Sequence, residues 1–194
     1  MNVPVFVSYR REVLSCESVE GDYLHGYMVN AGFGENIKAW HREHSEVPLH
    51  FFWDKQDEAE VCKVDDTLSF HQIDDMKFLH YMAGCRAYAT TAGFESVCEA
   101  MYLGKPLLMV PAHIEQDCNA YDAARTGAGV VSDEFDLRRL LNFSEDYRPD
   151  ANFRYWVQSC DRRIMHHIEA AMCLSHYPSP AFPYLCCSLS DVAL

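Results

Sequence analysis

The feature that most constrains the fold lies between residues 85 and 131, where short apolar runs alternate with helical patterns and Gly or Pro marks the junctions. The predicted strands are residues 85–89, 107–110 and 129–131, and the predicted helices are residues 95–103 and 116–126. Gly104 is the expected residue just past the first helix, and Pro106 prevents that helix from continuing. Strands and helices therefore alternate as β-α-β-α-β, which is the pattern of a parallel sheet with helical crossovers.

The flanking sequence extends this pattern in both directions. Strands are predicted at residues 23–29, 49–53 and 67–73, and helices at residues 36–43, 76–82, 135–141 and 150–174. Asp74 or Asp75 is the expected N-cap of the helix at 76–82, and the acidic residues 55–66 read as a solvated loop. The predicted fold class is therefore α/β, a Rossmann-like doubly wound sheet of six or so parallel strands with helices on both faces.

The predicted domain organisation has three parts. Residues 1–20 fit no single element and are interpreted as a linker or edge segment, and residues 21–175 form the Rossmann-like domain. Residues 176–194 form a proline-rich tail that we expect to cross to another domain or to a partner. With 194 residues, of which 49% are hydrophobic, the chain is long enough for one well-buried domain but not for two.

Composition excludes several classes of function. The formal net charge of -13 argues against a nucleic-acid partner, because phosphate backbones are bound by clustered Lys and Arg. No segment approaches the roughly 20 apolar residues of a membrane span, and the first residues do not have the pattern of a signal peptide. The nine cysteines show no C-x-x-C spacing and are interpreted as reduced thiols, so we expect a cytoplasmic protein. Neither the cysteines nor the ten histidines have the spacing of a metal site.

Candidate chemistry lies at the turns that follow two of the predicted strands. Gly93 and Ser96 open a helix after a parallel strand, where backbone N–H groups and the helix dipole favour a phosphate. Glu99 follows one turn later, where its carboxylate can accept hydrogen bonds from a ribose diol. Glu115 and Gln116 follow the next strand, at the same edge of the sheet, and suit sugar hydroxyls. Together these residues predict a site for a sugar nucleotide.

The same residues carry a resemblance to a known family. The run Gly93-Phe94-Glu95-Ser96-Val97-Cys98-Glu99-Ala100 is followed by Gly104-Lys105-Pro106, Val110-Pro111 and Glu115-Gln116. This arrangement resembles the donor-binding half of GT-B glycosyltransferases, and it is similar to the MurG-like and UDP-glycosyltransferase branches. The resemblance extends over residues 23–141, and it departs from plant-type members at Thr91, where they have His, and at Glu95, where they have Asn.

The resemblance implies a role for each matching residue. Gly93 and Ser96, with Thr91 and Phe94 beside them, would contact the diphosphate region of a nucleoside-diphosphate sugar. Glu99 would hold the ribose, and the donor sugar would lie against the pair that follows the next strand, with His113 nearby. An equal alternative is that His113 is simply a loop histidine that does not contact the donor.

Two further segments are candidates for the nucleotide. The nucleobase would lie against Phe70 or His71, although an inward-facing Phe70 is an equal alternative. A possible phosphate loop is formed by Gly32, Phe33 and Gly34, for which a bare structural turn is again an equal alternative.

The predicted function is therefore glycosyl transfer from a nucleoside-diphosphate sugar, most simply a UDP sugar, to an unidentified acceptor. The resemblance implies that no metal or other cofactor is needed, and the general base is not identified. Because a GT-B enzyme has two Rossmann-like domains, we expect the chain to work with an N-terminal acceptor domain or a separate acceptor subunit. A nucleotide-sugar-binding module without activity of its own, or a sugar-nucleotide epimerase of GT-B type, remains an alternative.

Overall fold

The structure, a computed structural model, describes residues 10–175. Residues 1–9 of the predicted linker or edge segment and the tail at 176–194 lie outside the described residues. The elements, in chain order, are a 3-10 helix (Arg11–Ser15), β1 (Leu24–Met28), α1 (Phe33–Glu43), β2 (Leu49–Trp53), β3 (Val61–Lys63), β4 (Leu68–Gln72), α2 (Asp75–Gly84), β5 (Ala87–Thr90), α3 (Phe94–Leu103), β6 (Leu107–Met109), α4 (Ile114–Arg125), β7 (Gly129–Val131), α5 (Leu137–Asp146) and α6 (Ala151–Ser175).

These residues form two compact units. Residues 10–157 belong to the first unit, which contains the whole sheet, and residues 158–175 of α6 belong to the second. No helix among the described residues is both long and apolar enough to cross a membrane.

Seven strands form one sheet in the order β3-β4-β2-β1-β5-β6-β7. Every neighbouring pair is parallel except β3 and β4, which are antiparallel. The predicted doubly wound parallel sheet is confirmed, with α1 and α5 packed on one face and α2, α3 and α4 on the other. The prediction that residues 55–66 are only a loop is wrong, because β3 lies within them. This edge strand has three residues and is not fully buried, so its sequence lacks the apolar run that marks the other strands.

Strand order reverses between β1 and β5. From β1 the chain moves outward through β2 and β4, and it then returns to place β5 on the other side of β1. Such a reversal leaves a crevice at the carboxyl ends of the two central strands, where open α/β sheets bind ligands. The topology therefore directs attention to the ends of β1 and β5.

Helix α3 follows β5 and is buried from Val97 to Leu103. Gly104 ends the helix with φ 72°, as its place in the sequence predicts, and its N–H group donates to the carbonyl oxygens of Ala100 and Met101. A helix buried over this length carries apolar side chains almost throughout, and Glu99 is the exception. A carboxylate in that position needs a charged or hydrogen-bonded partner.

A cluster of aromatic and histidine rings lies under α2. His25 is fully buried, with its ring 4.7 Å from that of Phe78 and 5.0 Å from that of Tyr88. The Ser69 hydroxyl lies 2.7 Å from His50 Nδ1 and 2.9 Å from His71 Nε2. Burial lowers the pKa of His25 to about 3 and that of His71 to about 4. Both rings are therefore neutral in the folded protein near pH 7.

Gly104 and Gly127 both have positive φ, and comparing their alanine variants tests what the end of α3 contributes to stability. Gly104→Ala places a side chain at positive φ and brings its Cβ to 3.0 Å from Pro149 Cβ, whereas Gly127→Ala is strained at φ 81° but meets open space. We expect Gly127→Ala to lower the free energy of unfolding by about 1 kcal/mol and Gly104→Ala by about 1 kcal/mol more. Urea denaturation measures both. Equal losses would show that the contact with Pro149 does not matter.

The buried histidines make stability depend on pH. An unfolded histidine has a pKa of about 6.5, so below that pH the unfolded chain binds protons that folded His25 and His71 do not. We therefore expect the free energy of unfolding to be steady above about pH 6.5 and to fall as the pH drops towards 4. Urea denaturation at about pH 7 and about pH 5 measures the change. The variant His25→Phe should lose less stability between these pH values; an unchanged loss would exclude His25 as its source.

Candidate functional site

A cavity of about 270 Å³ opens at the carboxyl ends of β1 and β5. We call it the strand-end cavity. It lies at the reversal of strand order, on the face of the sheet that carries α2 and α3. The described residues that line it are Arg10, Tyr27, Ile73, Asp75, Phe78, Gly93, Phe94, Glu95 and Ser96. The structure thus brings together three of the predicted site residues, Gly93, Phe94 and Ser96, at the position that the topology favours for a ligand.

The first turn of α3 forms one wall of the strand-end cavity. The first N–H groups of α3 have no intrahelical acceptor, and the N-cap Gly93 has no side chain that could accept from them. The Ser96 hydroxyl donates to the Gly93 carbonyl oxygen over 3.2 Å. A Cβ at Gly93 would meet only Ser96 Oγ, at 3.7 Å, so a ligand can approach the backbone closely. This wall has the geometry and the partial positive charge that suit an anion.

The turn that leads into α3 is held by side chains on both sides. Ala92 has φ 62°, a left-handed conformation that costs an alanine about 1–2 kcal/mol. The Ala92 N–H donates to Thr90 Oγ1 over 3.2 Å, and Asn119 Nδ2 donates to the Ala92 carbonyl oxygen over 3.1 Å. Thr91 is fully buried behind the turn, and its Oγ1 accepts from the Val29 N–H over 3.4 Å. Thr91 therefore positions the turn and does not line the cavity.

Glu99 lies behind the same wall, and Arg10 engages its whole carboxylate. The Arg10 backbone N–H and Nε each donate to Glu99 Oε1 over 2.8 Å, and Nη2 donates to Oε2 over 2.6 Å. The Glu99 side chain is 0% exposed and that of Arg10 is 18% exposed. Both oxygens of the predicted ribose acceptor thus accept hydrogen bonds from a residue 89 positions away in the sequence. Its contact with a ribose stays a prediction.

Arg10 also connects Glu99 to the cavity. Its Nη1 lies 3.2 Å from Asp75 Oδ1, and its Cζ lies 5.1 Å from the centre of the Phe78 ring. Burial lowers the pKa of Arg10, but the hydrogen bond and the negative charge of Glu99 outweigh that effect, and the pKa is raised overall. Arg10 therefore remains a cation at the border of the strand-end cavity.

Glu95 brings a second carboxylate to the first turn of α3. Burial raises its pKa, and the negative charges of Glu99 and Asp75 raise it further, while Arg10 opposes them. Among the described residues that line the cavity, Glu95 and Asp75 are the acids and Arg10 is the cation. The departure from the family pattern at Glu95 thus places a negative charge in the cavity wall.

The predicted sugar-binding residues lie one strand further along, at the start of α4. Gln116 is nearly buried, and its Oε1 accepts from the Ala112 N–H over 2.9 Å. Glu115 Oε1 accepts from Asn119 Nδ2 over 2.7 Å, and His113 Nδ1 lies 3.9 Å from the other Glu115 oxygen. None of these residues lines the strand-end cavity. Because Asn119 also binds the Ala92 carbonyl oxygen, the start of α4 is fixed beside the turn that precedes α3.

The remaining candidates lie elsewhere in the first unit. Phe70 is fully buried on the face of α1 and α5, where its ring stacks on Trp53 at 4.4 Å, so the inward-facing alternative is the one observed. His71 belongs to the histidine cluster under α2, and its ring stacks on Phe52 at 4.9 Å. The loop of Gly32, Phe33 and Gly34 follows β1, and the Phe33 ring packs edge-on against Phe135 on the opposite face from α2.

Sequence reasoning missed several residues that the structure places in the cavity. Arg10 stands in a polar segment with no periodic pattern. The sequence indicates Asp75 only as a possible N-cap, and the N-cap is Asp74. Tyr27 and Ile73 lie within predicted strands and Phe78 lies within the predicted helix at 76–82, so their positions indicate secondary structure and not a site. A single arginine in a polar run gives no local signal, because its partner is distant in sequence.

Variants of Arg10 and Glu99 test whether their ion pair holds the segment before β1 in place. We expect Arg10→Met to lower the free energy of unfolding by about 3–5 kcal/mol, because it leaves the buried Glu99 carboxylate without its cation. The double variant Arg10→Met/Glu99→Met should recover most of that loss, since it removes both charges. Urea denaturation of the single and double variants measures the coupling. A loss of stability in the double variant that equals the sum of the losses in the two single variants would contradict the buried ion pair.

Comparisons with known proteins identify a family and a similar sequence. A family model described as glycosyl transferase family 1 matches residues 3–147. A Caenorhabditis elegans protein named as a UDP-glucuronosyltransferase is 35% identical over 52 residues, which are 27% of this chain and 10% of that protein.

Solved structures show the same fold. The glycotransferase of kitacinnamycin aligns with a TM-score of 0.59 and 13% identity, over 82% of this chain and 43% of its own. A spinosyn rhamnosyltransferase complexed with thymidine diphosphate aligns with a TM-score of 0.50 and 14% identity, over 72% of this chain and 40% of its own. The chain therefore spans less than half the length of the proteins it matches. The family model covers most of the sequence, and the resemblance to GT-B glycosyltransferases is confirmed: the chain belongs to glycosyl transferase family 1.

Proposed function

We propose that this chain binds a nucleoside-diphosphate sugar in the strand-end cavity and provides the donor half of a glycosyl transfer reaction. The observation that carries the proposal is the position of the cavity. It opens at the reversal of strand order, against the first turn of α3, with Arg10 at its border. An anion-binding helix start at this point of an open α/β sheet suits a nucleotide diphosphate.

The diphosphate would lie against the first turn of α3, at Gly93 and Ser96. The N–H groups there are fixed before the reaction begins, so they would stabilise the leaving diphosphate as its negative charge develops. The turn at Ala92 is held from two sides, which keeps these donors in place. The spinosyn rhamnosyltransferase, which shares the fold, is complexed with thymidine diphosphate, and this supports a nucleoside diphosphate as the ligand class.

The nucleoside would occupy the part of the cavity that is lined by Tyr27, Ile73 and Phe78. These side chains come from the ends of β1 and β4 and from α2, and they offer apolar surface to a base and a ribose. Phe70 is fully buried on the other face of the sheet and offers no surface to a base. The C. elegans relative named as a UDP-glucuronosyltransferase supports uridine as the nucleoside.

The donor sugar would extend towards the start of α4. Glu115 has an exposed side chain, and Asn119 joins it to the turn before α3. Gln116 already holds the Ala112 N–H, so it would support the loop and offer its amide group to the sugar. His113 stands beside Glu115 and would serve the same region.

The acceptor would be bound elsewhere than in this cavity. The chain matches less than half of each similar structure, and we propose that a further domain or a separate subunit supplies the acceptor contacts and the general base. Catalysis by the chain alone would show instead that the acceptor site lies within its 194 residues.

Calorimetric titration with UDP, GDP, dTDP and UDP-N-acetylglucosamine tests the proposal. We expect selective binding of uridine nucleotides. If Glu99 holds the ribose, we expect Glu99→Ala to weaken this binding by about 1–3 kcal/mol, because the variant removes the carboxylate that accepts hydrogen bonds from the ribose hydroxyls. Glu145→Ala is the matched control, since Glu145 is exposed on α5, away from the residues that line the cavity.

Each result has a clear meaning for the proposal. Binding that survives in Glu145→Ala and weakens in Glu99→Ala would locate the donor at the strand-end cavity. If the wild-type chain binds none of the four nucleotides, the proposal of a donor site in this chain is wrong.

A further inference from the structure

We infer that a second cavity, beside the edge strand β3, binds the sugar ring of a neutral glycoside. We call it the edge cavity. It has a volume of about 290 Å³ and lies on the face of the sheet that carries α2. The inference goes beyond the proposed function, because it concerns a cavity other than the strand-end cavity.

Helix α2 lies between the two cavities. Asp75 and Phe78, three residues apart on one side of the helix, line the strand-end cavity. Lys77 and Tyr81, four residues apart on another side, line the edge cavity. No described residue lines both cavities. A ligand in the edge cavity would therefore contact different side chains from a nucleotide in the strand-end cavity.

A relay of three polar side chains leads from the interior to the edge cavity. The Ser69 hydroxyl lies 2.9 Å from His71 Nε2 and 2.7 Å from His50 Nδ1, and all three residues line the cavity. Ser69 and His71 are buried, whereas His50 is half-buried. Because Ser69 occupies Nδ1 of His50, Nε2 is the nitrogen that His50 can offer to a ligand.

The relay can run in either direction. Burial lowers the pKa of His50 and that of His71, so both rings are neutral near pH 7. Since Ser69 has one hydroxyl proton, one histidine donates to the hydroxyl and the other accepts from it, and His50 Nε2 carries either a proton or a lone pair. His71 Nδ1 has no hydrogen-bond partner among the described residues, so none of them fixes the direction. A ligand hydroxyl, which both donates and accepts, matches either arrangement.

The charges that line the edge cavity balance one another. Lys63 and Lys77 bring two positive charges, and Asp65 and Asp66 bring two negative charges. An ion therefore gains no net attraction from the described side chains of the lining. A neutral ligand with several hydroxyl groups finds both donors and acceptors there.

One charge of each sign is already engaged. Lys77 Nζ lies 3.2 Å from Glu60 Oε1, and Asp65 Oδ2 lies 2.9 Å from His41 Nε2. The other lysine and the other acid of the lining are exposed and have no ion pair among the described residues. They remain available as a donor and an acceptor for ligand hydroxyls.

The apolar part of the lining suits the faces of a sugar ring. It consists of Val61, Leu68 and the ring of Tyr81, which lies 4.8 Å from the ring of His50. A sugar ring presents C–H groups on its faces and hydroxyl groups at its rim, so it needs apolar surface together with a few convergent polar groups. The volume is at the low end of the range of about 300–1,000 Å³ for ligand pockets, which favours a single ring.

The experiment titrates the 194-residue chain with methyl β-glucoside and follows the backbone amide signals by two-dimensional NMR. We expect a Kd in the millimolar range, as for other ligands of so few atoms. The amide signals of Ser69 and Tyr81 should shift, and those of Gly93 and Ser96 should not. Neither inorganic phosphate nor UDP-N-acetylglucosamine should displace the glycoside.

The main variant is His50→Phe, which keeps a ring of similar size but removes the nitrogen that faces the ligand. We expect it to bind the glycoside about fivefold more weakly or worse, because a hydrogen bond is lost. His80→Phe is the matched control, since His80 is exposed and does not line the edge cavity. If His50→Phe does not fold, Asp66→Ala decides, because this exposed position tolerates the change; we expect it to weaken binding by about threefold.

Several results would overturn the inference. They are no binding of the glycoside by the wild-type chain, and unchanged affinity in His50→Phe, or in Asp66→Ala where that variant decides. Displacement by phosphate would identify an anion site instead, and displacement by UDP-N-acetylglucosamine would place the glycoside in the donor-sugar region. Glycoside binding by a chain that binds none of the four nucleotides would support this inference and refute the proposed function.

Discussion

A carboxylate within a buried helix has to be neutralised, and much of the architecture around the cavity follows from how Glu99 meets that requirement. Arg10 satisfies both of its oxygens from a segment that precedes the first strand. The same arginine reaches Asp75 at the start of α2 and lies over the ring of Phe78. One buried ion pair thus joins the segment before β1, helix α2 and helix α3 around a common cavity.

The position of the cavity follows from the sheet topology, and its chemistry follows from a few local groups. Reversal of strand order between β1 and β5 opens the sheet at their carboxyl ends, and α3 starts there with an uncapped first turn. The turn before it is strained at Ala92 and is held by Thr90 and Asn119. Because the chain is strongly acidic, the attraction of a phosphate would come from these fixed dipoles and Arg10 rather than from the field of the whole protein.

Most of the fold could be predicted from the sequence because its elements have local causes. The strands at Leu49–Trp53 and Gly129–Val131 have the predicted bounds, and Gly104 ends α3 in the left-handed conformation expected of it. The antiparallel β3 could not be predicted, since a three-residue edge strand in an acidic segment has no apolar run. Its position depends on pairing with β4, which is a tertiary contact.

For the site, the sequence by itself determined the turn and helix from Gly93 to Ser96, because a glycine after a strand and a helix that ends at Gly104 are signals read over a few residues. Only the tertiary structure decided that Glu99 is paired with Arg10, that Asp75 and Tyr27 line the same cavity as Gly93, and that Phe70 faces the opposite side of the sheet. The physical reason is distance along the chain. Burial and pairing of a charge depend on groups brought together by the packing of the sheet, and no local pattern records them.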